Sequence, residues 1–282
     1  MPPTLCETFF RERRLMFREG LLQYWWMLYR HSKTLNQRTD IFRNIEDSFA
    51  AKHGDQRLTA GDVYVDIGSG SSPVPTFLYQ RCHATTYATE MDRTYLDRQK
   101  SYMQTLRLGK RDSFFVQKED ATRLSFDDRS IDFLSAVSTI EHVPGDGDSR
   151  SMAEFARVLC AGGRLVVTVP TAAAYIENQS TFYYAGFERR YDPAALASRL
   201  FRPELKLIEQ LYMVSPPPEF LQQFQQSFSE FVHSDSWSDT WYKNGWHDQY
   251  PDVSILLSVG MIRLSPEPSG SFGACLAFEK QE

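Results

Sequence analysis

Three carboxylates, each standing where an apolar, β-forming run gives out, carry the first chemical hint in this chain. Asp66 lies in Val63-Tyr-Val-Asp-Ile-Gly-Ser-Gly-Ser-Ser-Pro73, Glu90 follows Thr85-Thr-Tyr-Ala-Thr89, and Asp120 follows Phe114-Phe-Val-Gln-Lys-Glu119. Val63, Val65 and Ile67 are β-formers, while Gly68 and Gly70 permit the positive φ and close backbone approach that a side chain blocks. Such a turn presses main chain against a ligand. Glu90 trails Asp66 by close to the roughly 20-residue interval at which an acid meets ribose hydroxyls in nucleotide-binding sheets. The chemistry implied is the grip of a nucleoside-like cofactor, with Glu90 on the ribose.

The elements that must position these acids follow from the pattern around them. Each acid closes a predicted strand, and Asp92 precedes the helical run Tyr95-Leu96-x-x-Gln-Lys, so it reads as an N-cap rather than a ligand. A dinucleotide site would want a third glycine where Pro73 stands, which argues against a pyrophosphate cradle.

Asp66-x-Gly68-x-Gly70 resembles instead the first motif of the class I S-adenosylmethionine-dependent methyltransferases, of the small-molecule, Methyltransferase-11-like type. The order downstream strengthens the resemblance. Glu90 ends the second strand, Asp120-Ala121 ends the third, and Leu124 to Val143 looks like the turn and fourth strand. Phe155 to Pro170, with its Gly162-Gly163 turn, looks like the following helix and fifth strand. The resemblance implies an α/β, Rossmann-like sheet of seven strands, mostly parallel with an antiparallel last strand, and helices on both faces. It implies S-adenosyl-L-methionine as cofactor and S-adenosyl-L-homocysteine as product. Asp66, Gly68, Ser69 and Gly70 would meet the methionine end, Glu90 and Met91 the ribose side, Asp120 and Ala121 the adenine, and Ser138 the edge of the site. Two departures stand out: Ser72 replaces a frequent third glycine, and Cys160-Ala replaces the commoner basic-Pro pair before Gly162.

Length and composition agree. A chain of 282 residues, 42% hydrophobic, can bury one elaborated domain or a domain plus caps. The net charge of −5 argues against a nucleic acid as main partner. Cys6, Cys82, Cys160 and Cys275 are far apart and lack C-x-x-C spacing, which suggests neither a zinc cage nor a disulfide framework and fits a reducing cytoplasm. No run approaches the ~20 apolar residues of a membrane span, so no integral-membrane role is expected, and the N-terminus lacks the apolar core of a signal peptide.

Residues 1–54 read as a helical cap, with two helices separated near His31-Ser-Lys-Thr and an aromatic cluster of Tyr24, Trp25, Trp26 and Tyr29. Core packing is favoured for that cluster over substrate contact. Residues 55–282 form the methyltransferase-like domain. Its loop 171–191, leaving the end of the fifth strand, is a candidate acceptor wall carrying Tyr183, Tyr184, Glu188 and Arg190. Arginines pairing with nearby carboxylates are the plainer alternative. The runs 205–214 and 271–280 read as the last two strands, paired antiparallel as in the family. Between them the insertion 215–264, with a helix expected over Glu219 to Val232 and the aromatics Trp237 and Trp241, serves as a substrate lid or an association surface, for example in a homodimer.

The resemblance also limits the chemistry. A sulfonium methyl is already activated, so the site must align a nucleophile, exclude water and supply a base where the acceptor loses a proton. His142 and Glu141 are the candidate bases, with a wall role for each as the alternative. Ser138-Thr-Ile-Glu-His replaces the Asn/Asp-Pro-Pro-Tyr/Phe turn of base and glutamine N-methylating enzymes. A small or amphiphilic acceptor related to natural products or glycans is therefore expected, with O-methylation favoured. The alternatives are an inactive interaction subunit and an enzyme acting on a protein or lipid-linked glycan.

Overall fold

The computed structural model describes residues 20–35, 41–108, 113–178, 186–214 and 263–282. Two helices, α1 (Leu21–Thr34) and α2 (Ile41–Arg57), precede an alternation of β1 (Val63–Ile67), α3 (Val74–Cys82), β2 (Thr85–Thr89), α4 (Arg93–Thr105), β3 (Phe114–Gln117) and β4 (Ile131–Val137). A single 3-10 turn, Ile140–His142, leads to α5 (Gly147–Val158) and β5 (Leu159–Pro170). The hairpin β6 (Ile176–Asn178) and β7 (Glu188–Arg190), α6 (Pro193–Leu200), β8 (Leu205–Val214), β9 (Arg263–Ser265) and β10 (Ser271–Lys280) complete the order.

The main sheet runs β3-β2-β1-β4-β5-β10-β8-β9. Its first five strands are parallel, and β10 inserts antiparallel between β5 and β8. The resemblance implies seven strands; among the described residues the sheet has eight. The additional one, β9, pairs antiparallel along β8 at Tyr212–Val214 and straddles the end of the stretch assigned to the insertion 215–264. The reason is geometric: β10 pairs with one side of β8, leaving main-chain groups on the other side that a short strand can satisfy.

Period-two alternation divides the core. Tyr64 and Phe133 face α1, α2 and α3, joining Trp25, Phe49 and Leu78 in one cluster, while Val65, Leu165 and Phe278 face α5 and α6 with Phe155 and Leu196. The helix α2 thus runs past residue 54 to Arg57 and contributes Ile45, Phe49 and Ala50 to the same core as the sheet. Trp25 is buried there, Trp26 is exposed, and Tyr24 donates to Asp55 at 2.8 Å. Asp92, read from sequence as an N-cap, accepts from the Thr94 amide, and Asp192 at the start of α6 accepts from the Ala195 amide, each at 2.7 Å. Tyr183, Tyr184, Trp237, Trp241 and the helix expected over 219–232 lie outside the described residues. Among those described, no helix is long and apolar enough to cross a membrane.

Candidate functional site

At the end of β1 the chain turns through Gly68 at φ +65° and Gly70 at φ +47°, and the two glycines answer different needs. A Cβ on Gly68 would stand 2.3 Å from Thr139 Cγ2. Thr139 is held there by donating to the carbonyls of Ile67 and Val137, both at 3.1 Å. Gly68 therefore lets the segment after β4 close on the turn. A Cβ on Gly70 would meet nothing nearer than the Gly68 carbonyl at 3.9 Å, so that side is open to a ligand. Ser69 ties the turn to β2, its amide donating to the Thr89 carbonyl at 2.8 Å. From α4, Gln99 donates to the carbonyls of Gly70 and Ser72 at 3.2 and 3.0 Å.

Beside Gly70 stands Glu90, whose Oε2 accepts from the Gly70 amide at 3.2 Å and whose Oε1 accepts from the Met91 amide at 2.8 Å. Met91, next in the chain, is 52% exposed. Asp120, at the neighbouring strand end, accepts from both the amide and the hydroxyl of Thr122 at 2.8 Å, with Ala121 buried next to it. Strand pairing thus gathers Gly68, Ser69, Gly70, Glu90 and Asp120 at the carboxyl ends of three neighbouring parallel strands.

Asp66 sits differently. It lies beneath the turn, 2% exposed, accepting from the Ser135 hydroxyl, which in turn pairs with Tyr64 Oη at 2.8 Å. Burial pushes its carboxyl up to about 7, against the opposing hydrogen bonds from Ser135 and Tyr64.

Sequence reasoning missed the contribution of α2. Ser72 donates to Asp47 at 3.1 Å, Ser138 donates to Glu46 at 2.8 Å, and Arg43 donates to Glu46 at 3.0 Å and to the Val137 carbonyl at 3.5 Å. The start of α2 therefore lies over the carboxyl ends of β1 and β4. Burial pushes the Asp47 carboxyl up to about 8, with Arg43 opposing. Charged residues interleaved with buried Ile45 and Phe49 were the available signal. Ser138 itself adopts φ +43°, and its amide donates to the Thr168 carbonyl at 3.0 Å.

On the opposite flank, His142 Nδ1 lies 2.9 Å from the Phe187 carbonyl. A carbonyl accepts and cannot donate, so Nδ1 carries the proton and Nε2 is the basic nitrogen. Glu141 Oε1 is 3.6 Å from Nε2. The Glu141 carboxyl is buried and pushed up to about 8 by that burial, with Arg43 opposing, and its Oε2 has no hydrogen-bond partner among the described residues. Glu188 and Arg190, singled out from sequence, face the same way along β7 and pair with each other at 2.9 Å.

Between them Arg189 points inward and is fully buried. It donates to the carbonyls of Val143 and Gly145, each at 2.5 Å, and to Glu177 at 3.1 Å. Asp148, also fully buried, lies 3.7 Å from Arg189 and accepts from Arg199 through both oxygens at 2.7 Å and from Tyr191 at 2.9 Å. Burial raises the Asp148 carboxyl, but those hydrogen bonds and the Arg189 charge outweigh it and hold it below its ordinary value.

Residues 65–167 match the family model described as a methyltransferase domain. Methyltransferase GfsG of Streptomyces halstedii is 29% identical over 130 residues, which cover 46% of this chain and 45% of that protein. The chain thus matches about half the length of this curated relative. Phosphoethanolamine N-methyltransferase 2 of Haemonchus contortus, solved with phosphomonomethylethanolamine and S-adenosylhomocysteine, superposes with a TM-score of 0.52 at 12% identity. That superposition covers 84% of this chain and 52% of the other. The [4+2]-cyclase SpnF superposes with a TM-score of 0.53 at 17% identity, covering 82% and 79%. At such identities the structural likeness speaks for the fold, which hosts more than one chemistry.

Proposed function

We propose that residues 65–167, which match the methyltransferase-domain model, form a class I S-adenosylmethionine-dependent methyltransferase core, and that this chain methylates a small or amphiphilic acceptor, related to natural products or glycans, preferentially on oxygen. The observation that carries the reading is the junction of the open Gly70 face with Glu90, 3.2 Å from the Gly70 amide. A left-handed glycine with room before it, beside a carboxylate at the next strand end, suits a ribose and a short amino-acid tail better than a phosphate.

In this reading Gly68, Ser69, Gly70 and Ser138 receive the methionine end of S-adenosylmethionine, above the buried Asp66. Glu90 exchanges its amide partners for ribose hydroxyls, Met91 covers the sugar side, and Asp120 with Ala121 faces adenine. When bound, the sulfonium supplies an activated methyl group. His142 holds its Nδ1 proton on Phe187 and takes the acceptor's hydroxyl proton at Nε2, while buried Glu141 stands beside the imidazole. Glu188, Arg190, Tyr183, Tyr184, Trp237 and Trp241 are assigned to the acceptor wall. Among the described residues Cys82, Cys160 and Cys275 form no disulfide, which supports placing the activity in the cytoplasm.

Isothermal calorimetry with S-adenosylmethionine and S-adenosylhomocysteine tests the cofactor assignment. Saturable heat is expected with both; the absence of heat with either defeats the reading and leaves a docking subunit built on this fold.

A further inference from the structure

We propose that Arg189 is a positioning residue for His142, setting which ring nitrogen carries the proton. The inference rests on the reading of His142 as proton acceptor. A buried guanidinium ordinarily spends its paired donors on a carboxylate, the geometry that best repays its desolvation. Arg189 does otherwise. Both of its Nη atoms go to main-chain carbonyls, Val143 and Gly145, directly after His142, while the buried Asp148 takes its shortest contacts from Arg199. The guanidinium thus fixes the path of the backbone that leaves the 3-10 turn.

The same side chain governs the other half of the arrangement. Its guanidinium carbon lies 4.6 Å from the centre of the Phe187 ring, and the Phe187 carbonyl, two residues upstream of Arg189, is the acceptor that holds His142 Nδ1. The hairpin bearing Phe187 is pinned at its base, where the Tyr191 amide donates to the Pro170 carbonyl and the Ala172 amide to the Tyr191 carbonyl, both at 3.0 Å. Arg189 therefore ties the loop after β5 to the segment after β4, keeping the distance between Phe187 and His142 at one value. Without that tie the carbonyl withdraws, the imidazole is released to protonate at Nε2, and the nitrogen needed as base is blocked.

Histidine side-chain nitrogen NMR on the full chain tests this, with the His142 signals assigned by their loss in His142→Ala. The wild type should show His142 in the Nδ1–H tautomer. Arg189→Met should move the tautomer ratio toward Nε2–H by about tenfold, the scale on which orienting partners act, while S-adenosylhomocysteine binding is unchanged. Arg189→Lys, which can donate to one of the two carbonyls, should recover part of the shift. Where Arg189→Met does not fold, Glu177→Gln serves, because Glu177 is 43% exposed and, of the guanidinium nitrogens, accepts from Nε and from neither Nη; a smaller shift of the same sign is expected. An unmoved ratio in folded Arg189→Met, or in Glu177→Gln where that variant replaces it, overturns the assignment. Failure of the wild type to bind S-adenosylhomocysteine would defeat the proposed function and leave the tautomer result standing.

Discussion

The glycine-turn flank and the hairpin flank of the candidate site hold their charges by opposite means. Glu90 and Asp120 bond to main-chain amides, all one or two residues away apart from that of Gly70 on Glu90, and remain partly exposed. Arg189 and Asp148 are fully buried, and most of their partners, the carbonyls of Val143 and Gly145 and the side chains of Tyr191 and Arg199, come from segments some forty or more residues distant. Locally bonded carboxylates form as soon as their turn forms and can trade an amide for a ligand hydroxyl at small cost. Buried long-range pairs cannot be traded, because each partner removed strands a charge away from water.

That contrast breaks most visibly at Asp148. Asp148→Asn should destabilise the fold by about 3–5 kcal/mol, the usual consequence of removing one partner of a buried ion pair. Urea unfolding measures it, and a loss below about 1 kcal/mol, the range of exposed pairs, would put the hairpin flank on the same footing as the turn.

Gly68 and Gly70 sharpen the picture of the other flank. Gly68→Ala combines positive-φ strain with a clash on Thr139 and should lose about 2–4 kcal/mol of stability. Gly70→Ala carries strain alone, about 1–2 kcal/mol, yet should be the more damaging to S-adenosylhomocysteine binding. Equal stability losses from the two would dissolve the distinction between a packing glycine and a ligand-facing one. Glu90→Ala should weaken S-adenosylhomocysteine binding more than tenfold, from charge-assisted hydrogen bonds worth ~1.5–3 kcal/mol; an unaltered dissociation constant takes Glu90 out of the site.

A pH dependence of stability is expected as well. Asp47 and Glu141 are pushed up to about 8 by burial, so the folded chain holds protons that the unfolded chain releases near pH 4. Their contribution is complete below that unfolded value and is lost as pH rises through about 8, with a slope of at most about 1.4 kcal/mol per unit for each group. Buried His31, held down to about 4, acts in the opposite direction only below its unfolded value near 6.5. Melting temperature should therefore fall between pH 6.5 and 8, and Asp47→Asn should flatten the decline. A flat wild-type profile would mean these carboxyls are ionised in the folded chain.

Much of the sheet was legible in the residues themselves. Val63–Ile67, Thr85–Thr89, Leu205–Val214 and Ser271–Lys280 are strands at the positions their β-forming composition and bounding turns announced, and Asp92 and Asp192 cap the helices they precede. These features arise from interactions over a few residues, which composition encodes directly. Which charged side chain turns inward is a different matter. Arg189 and Arg190 are chemically identical neighbours, and the reading by type selected Glu188 and Arg190, the two that share a face of β7 and pair with each other. Nothing in the local run says that β7 packs over Val143 and Gly145, or that Glu46 and Asp47 of α2 reach Ser138 and Ser72. Those contacts exist because helices and loops distant in the chain are brought onto the carboxyl ends of the strands in a completed sheet, and burial then decides which charges must find partners.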